Sequence, residues 1–477
     1  MTLLWTSDDL VAAVGGRPFG ALPEGVTGIS IDSRTLQRGE AFFAIKGDRF
    51  DGHDFATLAM AAGAGLLVIS EEKLPALGRL TVPKVVVPDV LKALRDLAAA
   101  ARARSRGKVI AVTGSAGKTT TKEMLRHALS SVGTVHAAAR SFNNHWGVPL
   151  SLARLPAGAD FAIFEIGMNH AGEIEPLTQL VKPHIAIVTL IAAAHLGHFK
   201  SLDEIAEAKG EIFAGVVPGG HAIINRDDQR FKLLADMAAE AGIRNVWGFG
   251  ENVRSHFRLA QQEPQGDHSV VTIKVAGQEL IGRIGAPGRH MVQNALSVIG
   301  AGYLAGADVS KLLAALGDFS AEAGRGKLHH LGIGEGMFTL IDESYNANPA
   351  SMKAALQVLD SSPVSNGGRR IAVLGDMLEL GVHSEKLHAA LGDIIAGTKT
   401  DILLLAGTEM KALADNAPPG RLVEYRPTVE ELQPLLLELL QPGDAIMVKS
   451  SNGIGLSRLV DVLLKNYPAA VDEPGRV

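Results

Sequence analysis

The sequence predicts an α/β protein of three domains, and three observations carry that expectation. A chain of 477 residues amounts to about three domains of ordinary size, and 47% apolar residues suffice to fill a core in each. From residue 109, short β-rich runs alternate with helical patterns, which argues for a mostly parallel sheet with helices on both faces. A second such series begins near residue 335.

In the first hundred residues, GISIDSR and EAFFAIKG read as short strands and ATLAMAAGAG as a helix, and an alanine-rich helix from Leu91 to about Arg104 leads onward. The middle series has strands at VIAVTG, DFAIFEIG, HIAIVTLI and HAIIN, each ending in polar or glycine residues. The last series has FTLIDES, RRIAVLGDM, DILLLAGT and DAIMVKS, each followed by a helical pattern. In the final helix, Leu456, Leu459, Val460, Leu463 and Leu464 keep the stripe of a helix packed on one face. From Tyr467 the tail, with two prolines and a glycine, is expected to be loose. No repeat of solenoid period is visible.

Lys plus Arg number 46 against 51 Asp plus Glu, and no like-charge block stands out, so a nucleic-acid partner is not expected. The chain has no cysteine, which excludes disulfides, thiolate metal sites and cysteine nucleophiles. Asp8 and Asp9 stand where a signal peptide wants basic residues, and the run IAIVTLIAAA is too short to span a bilayer. A cytoplasmic protein, not inserted in a membrane, is expected.

The most informative stretch is KVIAVTGSAGKTTTKEML, a buried strand, a glycine turn and a helix start. Backbone N–H groups from Gly114 through Ser115, Ala116, Gly117, Lys118, Thr119 and Thr120 can cradle phosphates, where a helix N-terminus favours negative charge. Lys118 would reach the terminal phosphates of ATP, and the Thr119 hydroxyl would ligate Mg²⁺. Val112 occupies the place of the first glycine in the common pattern, so the loop departs from the switch-GTPase form.

Ligands on parallel sheets collect at the carboxyl ends of strands, and several polar residues fall there. Glu165 ends the run FAIFEIG and is either a carboxylate for Mg²⁺ or a helix cap. His195, just past HIAIVTLI, is either a ligand or an ordinary histidine. Lys209, in LDEIAEAKGEIF, reads as a solvated lysine pairing with Glu204 or Glu207; beside metal ions its cation would be repelled. Asp342 ends FTLID and could bind ribose, while Tyr345, Asn346 and Asn348 serve a substrate or ordinary turn chemistry. Arg325, in AEAGRGK, is a cation for phosphate or a flexible hinge.

Taken together, TGSAGKTT, SFNNHWGVPLSL, EIGMNHAGEI, AAAHLGHF, AKGEIF, NALS, GRGK and DESYNANPASM, in this order over nearly the whole chain, resemble the ATP-dependent Mur ligases, in their dipeptide-adding form. The resemblance implies a small N-terminal α/β UDP-binding domain over 1–106, a central P-loop ATPase-like domain over 107–323 and a C-terminal Rossmann-like domain over 324–477. It implies a bacterial enzyme of peptidoglycan synthesis that joins D-Ala-D-Ala to UDP-N-acetylmuramoyl-tripeptide through an acyl phosphate, and a monomer is expected. Lys118 and Thr119 would then hold phosphates and a first Mg²⁺, and Glu165 and His195 would ligate a second. Lys209 would carry a CO₂-derived carbamate, an anion that removes the charge conflict. Asn294 would contact adenine, Arg325 the γ-phosphate and Asp342 the ribose. The uridine diphosphate pocket would include Asp32, Ser33 and Arg34, then Lys46, Gly47, Asp48, Arg49 and His53. Asn143 and Asn144 would face the acyl end, and Tyr345, Asn346 and Asn348 the dipeptide. An acyl phosphate must be kept from water, so the resemblance also implies closure of the domains with the segment around Arg325 as hinge.

KSSNGIGLSRL departs from the family's KGSR-like form, so no role for Lys449 is carried over. No stretch like the Asp-Asn-Pro-Arg of diaminopimelate-adding relatives is found. A nucleotide-driven switch protein, the rival from another class, would need no amine acceptor.

Overall fold

The computed structural model describes residues 2–138, 141–193, 196–365 and 367–470. The expected strand VIAVTG is Lys108–Thr113, and it organises the middle domain. Alternate side chains leave its two faces: Val109 and Ala111 enter one core, while Ile110 and Val112 enter another beneath the helices Lys118–Leu129 and Arg289–Leu304. Parallel neighbours flank it, Phe161–Glu165 on one side and Ile185–Val188 on the other. The chain first builds outward through Val135–Ala137 and Phe161–Glu165. It then crosses back to add Ile185–Val188, His221–Asn225 and Asn245–Gly250 on the opposite side. Strand order therefore reverses at Lys108–Thr113, which opens a crevice at its carboxyl end, where the glycine loop begins.

Beyond Asn245–Gly250 the sheet gains a meander, Phe257–Gln265, His268–Val275 and Gln278–Ile284, that the sequence reading does not contain. Ser269, Val271, Ile273 and Val275 are buried in strict alternation, and the turn at Ala276 and Gly277 has positive φ at both residues. The middle domain is thus mostly parallel, with an antiparallel wing.

The last domain holds a six-stranded sheet in the order Lys327–Ile333, Gly336–Glu343, Ala445–Lys449, Arg370–Gly375, Ile402–Ala406, Leu422–Arg426. All neighbours are parallel except the first hairpin, and helices cover both faces with separate apolar cores. The tail is not loose where it is described. The Gly332 N–H donates to Pro468 O (2.8 Å), the Ala470 N–H donates to His330 O (2.8 Å), and Tyr467 packs edge-on against Phe338. Unpaired backbone groups on the edge strand Lys327–Ile333 account for this pairing.

The first domain has a five-stranded sheet and the helix Val90–Arg104, close to the expected span. Its main core is continuous with that of the middle domain: Trp5, Leu10, Leu94 and Leu97 share a cluster with Val109, Leu152 and Phe164. The seam is also polar. Trp5 Nε1 donates to Ala153 O (2.9 Å), Arg154 Nε donates to Ile29 O (2.7 Å), and the Arg104 guanidinium lies 3.4 Å from the Trp5 ring centroid. By contrast, the last domain's two cores contain no residue of the other domains.

Guanidinium unfolding is therefore expected to show one transition for the first two domains and a separate one for the last. Trp5→Ala should cost about 3–5 kcal/mol and lower only the former; an equal shift of both transitions would contradict the shared-core arrangement.

Candidate active site

The glycine loop carries two residues in the left-handed region, Gly114 (φ 150°) and Gly117 (φ 83°). A Cβ on Gly117 would lie 2.6 Å from Asn294 Oδ1, and one on Gly114 would strike Thr189 Oγ1. The glycines are thus required both by conformation and by close approach. Lys118 Nζ donates to Gly114 O (2.7 Å) and so folds over the loop. Ser115 Oγ is buried and has no hydrogen-bond partner among the described residues, although it lines the crevice. An unused hydroxyl, a backbone cradle too tight for a Cβ and a helix N-terminus at Lys118 together suit a polyphosphate.

A cavity of about 320 Å³ opens here, between the middle and last domains. Ser115 to Thr120, Asn143, Glu165 and Asn294 line it from one side, and Arg325, Tyr345, Asn346 and Asn348 from the other. Glu165 is 2% exposed, and parallel pairing sets it opposite Val112, one residue short of Thr113. Its Oε2 accepts from Thr119 Oγ1 (2.8 Å) and its Oε1 from Asn143 Nδ2 (2.8 Å). A hydroxyl and a carboxylate held in contact are hard oxygen donors, which fit Mg²⁺. Asn143 thus belongs beside the carboxylate. His195 lies outside the described residues, and among those described no group of three metal-ligating side chains is gathered.

Lys209 corrects the expectation of a solvated lysine. It is 1% exposed, on the helix Leu202–Gly210, whose buried face also carries Ile205, Ala206 and Ala208. Burial and the nearby charge of Lys118 push its pKa well below the ordinary lysine value. Burial also lowers Lys118, which Glu165 counteracts and Arg325 reinforces.

Asp342 is likewise corrected. Its Oδ2 accepts from the Gly324 N–H (2.6 Å) and its Oδ1 from the Ser344 N–H and Oγ, so the buried carboxylate fixes the turn before Arg325 instead of facing the cavity. Arg325 itself reaches the cavity: its guanidinium lies 4.0 Å from the Tyr345 ring centroid, and Nη2 donates to Ser141 Oγ (3.2 Å). Asn348 caps the helix Pro349–Ser361 while its Nδ2 approaches Ser115 O. Asn346 Oδ1 accepts from the Ala347 N–H.

The first-domain candidates divide. Asp32 to Arg34 and Lys46 to Arg49 follow the parallel strands Ile29–Ser30 and Ala41–Phe43, so both loops leave the same sheet edge. Asp32 and Arg34 form a bidentate pair, and Lys46, Asp48 and Arg49 are exposed. Gly47 lies against the Trp146 ring of the middle domain. His53, however, is turned inward: Nε2 accepts from the Ser70 N–H and Nδ1 bonds Asp51, so both ring nitrogens are committed to the fold. Asn144 Oδ1 accepts from the Trp146 and Gly147 N–H groups and so fixes the turn that leads into the helix Gly147–Ala153.

Ser141, His290, Glu343 and Lys449 also line the cavity, and the sequence reading gave none of them a role, although Ser141 and Glu343 lie within the stretches SFNNHWGVPLSL and DESYNANPASM. Lys449 is buried between Glu343 Oε2 (3.0 Å) and Asn346 O (2.9 Å), which gives it an anchoring role. Position was a further signal, since Glu343 and Lys449 are paired in register at the carboxyl ends of adjacent strands.

Two outcomes follow from this geometry. Gly117→Ala should weaken Mg-ADP binding by about a hundredfold or more in titration calorimetry, because backbone strain and the clash with Asn294 add. Because Lys209 is depressed, the unfolded chain takes up a proton that the fold resists, and stability is lost as pH falls below about 10. Lys209→Met should therefore raise the melting midpoint at pH 7 in CO₂-free buffer and leave it nearly unchanged at pH 11; a lowered midpoint at pH 7 would refute the burial cost.

Comparison with known proteins bears on this arrangement. Models of the Mur ligase family match in all three domains: the family's catalytic domain at residues 25–102, its middle domain at 112–302 and its glutamate ligase domain at 328–452. The UDP-N-acetylmuramoyl-tripeptide--D-alanyl-D-alanine ligase of Escherichia coli is 36% identical over 92% of this chain and 94% of its own. A crystal structure of MurF from Acinetobacter baumannii superposes with a TM-score of 0.84 at 30% identity, over 97% of this chain and 99% of that one. MurF ligase from Thermotoga maritima, solved with ADP, has the same fold, with a TM-score of 0.76 at 22% identity over 92% and 97% of the two chains. With a similarity that runs through every domain and holds at this identity over nearly the full length, the chain belongs to the Mur ligase family.

Proposed function

We propose that this protein is an ATP-dependent ligase that joins D-alanyl-D-alanine to UDP-N-acetylmuramoyl-tripeptide, giving the pentapeptide precursor of peptidoglycan with ADP and phosphate. The single observation that carries this reading is the cleft itself. Lys118, Thr119 and Glu165 on the middle domain face Arg325 and Tyr345 across one cavity. Full-length similarity to D-alanyl-D-alanine ligases supports the choice of substrates.

The terminal carboxylate of the tripeptide attacks the γ-phosphorus of ATP, the bond from that phosphorus to the bridging oxygen breaks, and an acyl phosphate forms as ADP leaves. The dipeptide amine then attacks the acyl carbon, and inorganic phosphate departs. Lys118 and the loop N–H groups hold the β and γ phosphates, and Arg325 approaches the transferring group from the linker. Thr119 and Glu165 are the residues that would hold Mg²⁺, and His195 joins them in this proposal. When bound, the metal offsets charge on the phosphoryl oxygens, usually a large share of catalysis.

Lys209 is proposed to react with CO₂ to form a carbamate that helps hold a second Mg²⁺. A depressed pKa favours this, because the neutral amine is the form that attacks CO₂. Lys118 nearby gives the resulting anion a cationic partner.

Phosphate release with Mg-ATP should require both the tripeptide precursor and D-Ala-D-Ala, with a pentapeptide product by mass analysis. Release independent of the amine would sink the ligase assignment and favour a nucleotide-driven switch. Lys209→Ala should abolish ligation and regain part of it with short added carboxylates, while Lys209→Arg should not; full activity in Lys209→Ala would remove the carbamate.

A further inference from the structure

A hydrogen-bonded chain of four side chains joins the linker cation to the carboxylate beside the glycine loop, and its direction is fixed by chemistry. A guanidinium can only donate, so Ser141 Oγ accepts from Arg325 Nη2 at 3.2 Å. The single proton of Ser141 is then free for Thr119 Oγ1 at 3.3 Å. Thr119 in turn donates to Glu165 Oε2 at 2.8 Å, because a carboxylate only accepts. Cation, hydroxyl, hydroxyl and carboxylate are thus polarised one way, with each hydroxyl proton used once. The bond from Arg325 to Ser141 links residues 184 positions apart and crosses from the interdomain linker to the middle domain.

The backbone around Arg325 shows why such a link matters. The turn is fixed on the side of the last domain, through the Gly324 N–H to Asp342 and the Gly326 N–H to Asp342 O. Tyr345, against which the guanidinium stacks, also belongs to the last domain. Ser141 therefore supplies the middle domain's hold on a side chain otherwise governed by the last domain. It follows Val135–Ala137 and precedes Asn143, the donor to Glu165 Oε1, so the same loop touches both ends of the relay.

We propose that Ser141 is a positioning residue that couples occupancy of the Thr119 and Glu165 oxygens to the placement of Arg325. The inference rests on the reading of the glycine loop as an ATP site. A divalent cation at Thr119 needs a lone pair of the oxygen that the Ser141 proton approaches. A hydroxyl oxygen bound to a cation is a poorer acceptor than the phosphate oxygen that arrives with it, so loading turns that proton toward phosphate, while Arg325 keeps its acceptor on Ser141. Ser141 then bridges Arg325 to phosphate, so the linker is tied to the nucleotide only when the metal donors are filled.

The test uses the full-length protein with Ser141→Ala and Ser141→Thr, each alone and combined with Arg325→Ala. Ser141→Ala should lower kcat for ligation about tenfold with KM for ATP changed by less than about twofold, and Ser141→Thr should recover most of that loss. In the Arg325→Ala background, Ser141→Ala should cost little more, because the two act as a unit. Independently of turnover, Mg-ADP should slow hydrogen exchange over residues 318–327 in the unsubstituted protein and in Ser141→Thr, but not in Ser141→Ala, with calorimetric affinity for Mg-ADP unchanged. Additive losses, an unchanged kcat or equal protection in Ser141→Ala would overturn the coupling. Failure of the unsubstituted protein to bind Mg-ADP would instead overturn the nucleotide reading of the loop.

Discussion

A crowding of basic side chains around one carboxylate is the constraint around which this molecule is arranged. Lys118 and Lys209 are close enough for one to depress the other, which favours the neutral amine at the buried Lys209, while half-buried Arg325 adds a further cation and Glu165 is the carboxylate set among them. Such a cluster is costly for a fold to hold, because water is excluded and like charges repel. It makes sense as half of an interaction whose other half is a polyanion with its metal. Binding then relieves a strain that folding installed, and affinity for phosphate is gained from the same burial that lowers stability.

Secondary structure supplies the placement. Reversal of strand order at Lys108–Thr113 leaves a crevice at one sheet edge, and parallel register sends Thr119, Glu165 and Thr189 there from three neighbouring segments. The first and middle domains share a core, so the loops after Ile29–Ser30 and Ala41–Phe43 and the glycine loop belong to one body. The last domain is joined through the turn at Gly324 and Arg325, where backbone hydrogen bonds to Asp342 set the exit angle of the linker.

What was legible in the sequence was whatever depends on local pattern. Buried parallel strands are continuous apolar runs, so Lys108–Thr113, Phe161–Glu165 and Ile402–Ala406 could be read directly, and the glycine loop declares itself by spacing. The meander over 257–284 escaped because the run VVTI blurs its alternation. Side-chain commitments were hidden for a different reason. Asp342, His53 and Asn144 are polar residues near strand ends, as a ligand-binding residue would be, yet the fold uses them to satisfy its own N–H groups. Lys209 was misjudged because Glu204 and Glu207, five and two residues away, are not at the three- or four-residue spacing that pairs on a helix, and its face is covered by neighbouring elements.

The pairing of Pro468 and Ala470 with the outermost strand of the last sheet has a consequence for solubility. Lys327–Ile333 would otherwise present a row of free donors and acceptors to any passing extended peptide. A few residues beyond the final helix close that row and turn a template for intermolecular strand addition into a finished boundary. Trimming the chain at Tyr467 would leave every catalytic group in place while exposing a surface that recruits copies of itself.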